Sequence, residues 1–251
     1  MRTSKPFLIL QLRPEDDTSN SEYEAFLKYG KLDRRDTHRI RVEQTGIPEI
    51  SLDDYAAVIV GGSPLDISTP QQEKSTAQVK IESDFQRLFT KIVGADFPFL
   101  GACSGCGLLG SYLETTISGK YAEPVGGVTV SLTEAGGSDP LLAGFPERFD
   151  VLCGHKEACD RVPRGSTLLL TGDACPVQMF RVGQNVYATQ FHPEGDGEGF
   201  TMRIEAYKHH GYFPPEAAET LIVAVNRFDT PYAHEILRRF VQRYRCSFCA
   251  R

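Results

Sequence analysis

The chain has 251 residues, 41% of them hydrophobic and 24% charged, with a formal net charge of −6 and acidic and basic residues interleaved. Those values exclude a disordered chain and fit a globular protein with room for one large α/β domain or two small ones. Nothing in the charge pattern suggests a nucleic-acid or membrane partner, and the first apolar run, Phe7-Leu8-Ile9-Leu10, is too short for a signal peptide or a membrane span. A cytoplasmic protein is expected.

In chain order, residues 7–12 read as a buried strand, 20–29 as a helix and 39–43 as a half-exposed strand. Residues 55–60 form a continuous apolar run ending at Gly61-Gly62-Ser63-Pro64, the pattern of a central parallel strand entering a loop. Over 72–93, Val79, Phe85, Leu88, Phe89 and Ile92 recur at helical intervals. A strand at 98–101 then runs through Cys103 into a helix that continues over 108–112. From 126 to 190 the texture changes to short strands at 128–132, 167–170, 176–180 and 186–190, separated by Gly, Asp and Pro turns. They read as an antiparallel or mixed extension of the same sheet. Residues 213–225 and 232–244 look like closing helices, with Arg238, Arg239, Arg243 and Arg245 on a solvated face and His209 and His210 near a helix end. The alternation predicts an α/β fold of three layers, a mostly parallel central sheet with helices on both faces. No linker or repeat interrupts it, so one domain over 1–251 is expected, with a core at about 7–205 and a helical C-terminal extension at about 206–251.

Seven cysteines, an odd number, in a chain without a secretory signal predict free thiols rather than a disulfide framework. Cys103/Cys106 and Cys246/Cys249 have C-x-x-C spacing, and Cys153, His155 and Cys159 lie close together. A zinc site joining the latter group to the C-terminal pair is one reading. Neither cluster has the knuckle glycines of a structural zinc site, so scattered buried or tail thiols, with no metal and no cofactor, are favoured.

The richest stretch is Phe99-Leu100-Gly101-Ala102-Cys103-Ser104-Gly105-Cys106-Gly107-Leu108-Leu109, a strand, a tight turn and a helix with Cys103 at the apex. A nucleophile there is held clear of its backbone, with the helix N-terminus behind it favouring a thiolate and supplying free N–H groups. Acyl transfer also needs a base, a group that orients it and donors for the oxyanion. His192, in Gln190-Phe191-His192-Pro193-Glu194, follows a strand whose end would face the same crevice, and Glu194 is placed to reach its imidazole. Asp196 and Glu198 are alternative orienters. The N–H groups of Ser104 and of the Gly62–Ser63 turn are candidate oxyanion donors.

Gly101-Ala102-Cys103-Ser104-Gly105 together with Gln190-Phe191-His192-Pro193-Glu194 resembles the class I glutamine amidotransferases, most closely stand-alone proteins similar to the amidotransferase domain of GMP synthetase. Gly61-Gly62-Ser63-Pro64 stands where that family carries its oxyanion loop, and Gly154-His155-Lys156-Glu157 where relatives have a histidine-acidic segment. The resemblance covers about residues 7–205 and implies a flavodoxin-like fold. It also implies a Cys103–His192–Glu194 triad that hydrolyses the amide of glutamine through a γ-glutamyl thioester. Gly62, Ser63, Ser104, Gly105 and His155 would border the oxyanion and the substrate. Two positions depart from the family. Gly107 stands where the family has a glutamine that helps to bind substrate, and Cys106, one helical turn from Cys103, is either a packing residue or a resolving thiol. The sequence contains no Ser-Gly-Gly-x-Asp or Walker-type phosphate loop, so activation of an ammonia acceptor would fall to a separate synthetase subunit. The expected partner is thus a small molecule, glutamine or another γ-glutamyl compound. Two alternatives stay open: a γ-glutamyl peptidase-like hydrolase, and a non-catalytic regulatory or binding protein on the same fold.

Overall fold

The structure, a computed structural model, describes residues 5–245. The first half of the chain alternates strand and helix: β1 (Phe7–Gln11), α1 (Asp16–Gly30), β2 (Thr37–Arg41), α2 (Val42–Thr45), β3 (Ala57–Val60), α3 (Thr76–Gly94), β4 (Phe99–Ala102) and α4 (Ser104–Tyr112). The second half is strand-rich, with β5 (Ile117–Ser118), β6 (Glu123–Leu132), α5 (Glu134–Gly137), β7 (Arg148–His155), β8 (Ala158–Cys159), β9 (Ser166–Gly172), β10 (Met179–Val182) and β11 (Val186–Thr189). Three helices close it: α6 (Gly197–Tyr207), α7 (Ala218–Val225) and α8 (Pro231–Arg245).

Nine strands form one sheet in the order β2-β1-β3-β4-β11-β10-β9-β6-β7, and β5 pairs with β8 alone. β2, β1, β3, β4 and β11 run parallel, and β10, β9, β6 and β7 continue the sheet antiparallel. The expected extension is therefore present. One strand belongs elsewhere than the sequence pattern implies: β11 reads as part of the extension but pairs in parallel with β4. A turn at 183–185 folds it back from β10, and Phe99 N–H donates to Asn185 O there.

Period-2 alternation sends the central strands' side chains into two apolar layers. Phe7 and Ile9 of β1 join Tyr23 and Phe26 of α1 and Ile236 and Phe240 of α8. Leu8 and Leu10 join Phe85, Leu88 and Phe89 of α3 and Leu109 of α4 on the other face. The sheet is thus sandwiched between helices, and the loops at the carboxyl ends of its parallel strands are left to shape a crevice. Among the described residues no helix is long and apolar enough to cross a membrane.

Candidate active site

β4 and β11 lie side by side in register, Ala102 opposite Thr189, so Cys103 and the 190–194 turn leave the sheet next to each other. Arg13 follows β1, and Gly62 and Ser63 follow β3, at the same edge. Cys103 is held at φ 51°, ψ −100°, outside the regions where side-chain-bearing residues are comfortable. Its N–H donates to Thr189 O at 2.8 Å, and its carbonyl accepts Cys106 N–H at 2.9 Å and Gly107 N–H at 3.0 Å. A Cβ on Gly101 would lie 2.8 Å from the Gly105 carbonyl, so the strand and the returning helix come this close only through that glycine.

His192 and Glu194 are both buried, with Nδ1 2.7 Å from the Glu194 Oε1. The carboxylate fixes the proton on Nδ1 and leaves Nε2 to accept one. His192 lines the same cavity as Cys103, and its ring stands edge-on to Phe200 at 5.5 Å. Arg203 donates to the same Glu194 Oε1 at 2.9 Å. Burial favours protonation of Glu194, but His192 and Arg203 outweigh it and hold the carboxyl well below its ordinary range. Burial, with Arg203 and Arg13, lowers the His192 pKa against the opposite pull of Glu194. Burial also pushes the Cys103 thiol up to about 11, although Arg13 and Arg203 favour the thiolate. Desolvation of the sulfur thus opposes the thiolate that the N-terminus of α4 favours.

The expected oxyanion residues are together, with their donors engaged in different ways. Ser63 N–H donates to Ser104 Oγ at 2.8 Å, and Gly62 N–H to Glu22 Oε1 at 3.2 Å. Ser63 Oγ also reaches Ser104 Oγ at 2.9 Å, and Tyr212 Oη donates to Ser63 O at 3.4 Å. Ser104 and Gly105 open α4, where main-chain N–H groups have no partner within the helix. His155 is buried in β7; its Nε2 meets Glu123 Oε2 at 2.9 Å, its Nδ1 meets Glu157 O at 3.1 Å, and it borders a second cavity that shares Cys103. Gly107 borders that second cavity too, and a Cβ there would lie 2.7 Å from Ile67 Cδ1. An isoleucine methyl therefore stands where a longer polar side chain would project.

Asp196 and Glu198 are not orienters. Asp196 accepts from Tyr29 Oη at 2.6 Å and Lys28 Nζ at 3.0 Å and caps α6 through Gly199 N–H at 2.8 Å. Glu198 faces a groove between α1 and α6. Cys106 is fully buried as a free thiol beside the free thiol of Cys159, inside the apolar layer. That arrangement fits a packing residue. Cys153 and His155 meet Glu123, their ligand atoms all within 4.8 Å, but Cys159 is turned away to Cys106. Cys246 and Cys249, invoked for a zinc site, lie outside the described residues.

Several site residues escape a reading of the sequence. Arg13 is buried and pairs with the buried Glu22 at 2.8 Å, Glu22 also approaches Arg203 at 3.9 Å, and Tyr212 covers the crevice. Arg13 does carry a signal, because it follows a parallel strand at the edge where such sites form. Arg203 and Tyr212 carry no local motif.

The family model described as "Glutamine amidotransferase class-I" matches residues 28–208. A GMP synthase [glutamine-hydrolyzing] of Streptomyces avermitilis is 26% identical over 66% of this chain, which spans only 30% of that synthase's length. A glutamine-hydrolyzing GMP synthase subunit of Halobacterium salinarum is 35% identical over 39% of this chain and 54% of its own. A solved glutamine amidotransferase of Thermotoga maritima superposes with a TM-score of 0.74, at 21% identity over 95% of this chain and 97% of that one. The family model covers well over half of the sequence, and the chain belongs to the class I glutamine amidotransferase family.

Proposed function

We propose that the protein hydrolyses γ-glutamyl amides, glutamine among them, through a thioester on Cys103. The observation that carries this reading is the His192–Glu194 contact of 2.7 Å in the cavity that Cys103 lines. His192 Nε2 takes the Cys103 proton as sulfur attacks the side-chain carbonyl carbon. The carbonyl oxygen becomes an oxyanion facing the free N–H groups at the start of α4, Ser104 first. As the C–N bond breaks, His192 returns the proton to the departing nitrogen, and the γ-glutamyl group stays on sulfur. Water, deprotonated by His192, then attacks the thioester, releasing glutamate and restoring the thiol. Glu194 holds the imidazole tautomer and stabilises its charged form; it need not give up its own negative charge.

A glutaminase of this kind would pass ammonia to a synthetase on a separate chain, and the relative named as one subunit of a GMP synthase supports that arrangement. A second reading, a γ-glutamyl peptidase, uses the same acyl chemistry and is favoured by the space of about 40 Å³ beside His192, which leaves room for an amine larger than ammonia. Release of glutamate and of ammonia or amine should be measured with glutamine and with γ-glutamyl peptides. The expected result is turnover that falls by about 1,000-fold or more in Cys103→Ala. Turnover of glutamine that survives Cys103→Ala overturns the thioester mechanism.

A further inference from the structure

Cys103 stands between two cavities, and only one of the two is lined by His192. The base that protonates the departing nitrogen marks the leaving-group side. That side is walled by Arg13 and Arg203 and by the apolar faces of Ile204, Tyr207, Tyr212 and Phe213. Departing ammonia has no use for two guanidiniums.

Both arginines are at least nine-tenths buried, and each keeps donors in reserve. Arg13 spends Nε on Glu22 at 2.8 Å and Nη1 on Tyr207 Oη at 3.5 Å, and among the described residues Nη2 has no hydrogen-bond partner. Arg203 spends Nη2 on Glu194, and its Nη1 is buried without a partner. Unpartnered N–H groups on buried cations are costly, and an anionic oxygen is the ligand that satisfies them best. The balancing carboxylates, Glu22 and Glu194, do not wall the cavity. Arg13 also lies beside the base: a Cβ on Gly62 would be 2.7 Å from Arg13 Nη2 and 2.8 Å from His192 Cε1. The space, about 40 Å³, compares with ~10–15 Å³ for one water on the same measure, enough for a carboxylate and the carbon that bears it.

We propose that Arg13, with Arg203, forms a carboxylate subsite on the leaving-group side of Cys103, so that the preferred donors are γ-glutamyl amides whose amine half carries a carboxylate, such as γ-glutamyl amino acids. The substrate claim rests on the thioester reading above; the anion subsite stands without it. Its chemistry is that of the parent reaction, with His192 returning the proton to the amino acid's nitrogen as the C–N bond breaks.

Two measurements test it. Alkylation of Cys103 by iodoacetate and by iodoacetamide compares an anion with its neutral analogue and needs no turnover. The iodoacetate-to-iodoacetamide rate ratio should exceed that of free cysteine about tenfold and fall toward it in Arg13→Met, with Arg13→Lys between them. Any change in thiolate fraction cancels in the ratio. A wild-type ratio no higher than that of free cysteine overturns the subsite without any variant having to fold. With substrates, kcat/KM for γ-glutamylglycine should exceed that for γ-glutamylmethylamide by about tenfold or more, and equal values overturn the substrate assignment. If no γ-glutamyl donor is turned over, the thioester reading and the substrate assignment both fail, and the alkylation ratio alone decides whether the anion site exists.

Discussion

Burial and two guanidiniums act in opposite directions on Cys103, and burial wins, leaving a thiol with a pKa of about 11. The same burial, aided by Arg203 and Arg13, keeps the His192 imidazole neutral below its ordinary 6.5 despite Glu194. For the proposed thioester chemistry the competent form is therefore a neutral thiol beside a neutral base. Its activity should rise with pH through a midpoint below 6.5, as His192 loses its proton, and hold a plateau towards the alkaline range where the thiol ionises. Removing Arg203 removes a positive charge that disfavours imidazolium, so Arg203→Met should move the acid limb to higher pH. It should also reduce kcat by about tenfold, because Glu194 loses the donor that shares its Oε1. Glu194→Gln removes the opposing negative charge and should move the same limb to lower pH, with a fall in kcat of up to about 10,000-fold. The pH dependence of kcat/KM for the three proteins checks this, and an acid limb that Arg203→Met leaves in place would remove Arg203 from the circuit. Cys103, His192 and Glu194 are legible from motifs that are short and contiguous. Glu22, Arg13 and Arg203 are not, because a buried ion-pair circuit joins residues from α1, the β1 loop and α6 in a way that no local spacing records.

The turn from β4 into α4 is the element on which the proposed chemistry depends, and its geometry is strained. A non-glycine residue at φ 51°, ψ −100° carries of order 1–3 kcal/mol of conformational penalty. Neighbouring strands hold it there, through the Cys103 N–H bond to Thr189 O and the packing of α4 under α3 and against β11. Cys103→Gly relieves the side-chain clash at the cost of added freedom in the unfolded chain, so it should raise stability by about 1 kcal/mol while abolishing activity. Urea denaturation of wild type and variant gives the comparison, and a destabilised glycine variant would show that the turn stores no strain. The turn itself is readable from its glycines and apolar flanks. α6 is harder to see, although its signals exist: Asp196 caps it, and Phe200, Ile204 and Tyr207 recur at helical spacing. Asp196 invites a catalytic reading because it follows the histidine so closely, and two glycines blur the helix start. β7 alternates exposed Arg148 and Asp150 with buried Phe149 and Val151, yet its end, Gly154 and His155, stands out as a motif rather than as a strand.

At the scale of the whole molecule, the sheet changes from parallel to antiparallel at β11, and the charged circuit of the site sits beside that junction, under the helices that follow it. Composition announces both textures but not where they join, because β11 and β10 are both short apolar strands and only pairing with β4 distinguishes them. Burying the circuit ties catalysis to global stability through protons. His192 is lowered in the folded protein relative to its ordinary 6.5, so the unfolded chain binds that proton first as the medium is acidified. The stability from keeping it neutral is whole above about 6.5 and is lost as pH falls through the lower folded-state value. Glu194 is also lowered, from an ordinary 4.5, so its contribution is present above that value and is withdrawn at still lower pH. Both groups act in the same direction. The melting temperature should be nearly flat above about pH 7, decline below about 6.5 and decline more steeply below about 4.5. His192→Gln, which cannot titrate, should make the first decline shallower, leaving the share of the similarly lowered His234, and should move the second to higher pH because His192 helps to hold Glu194 low, as read by thermal denaturation from about pH 4 to about pH 8. A first decline of unchanged depth in that variant would assign it to other groups and separate the acid sensitivity of the fold from the catalytic base.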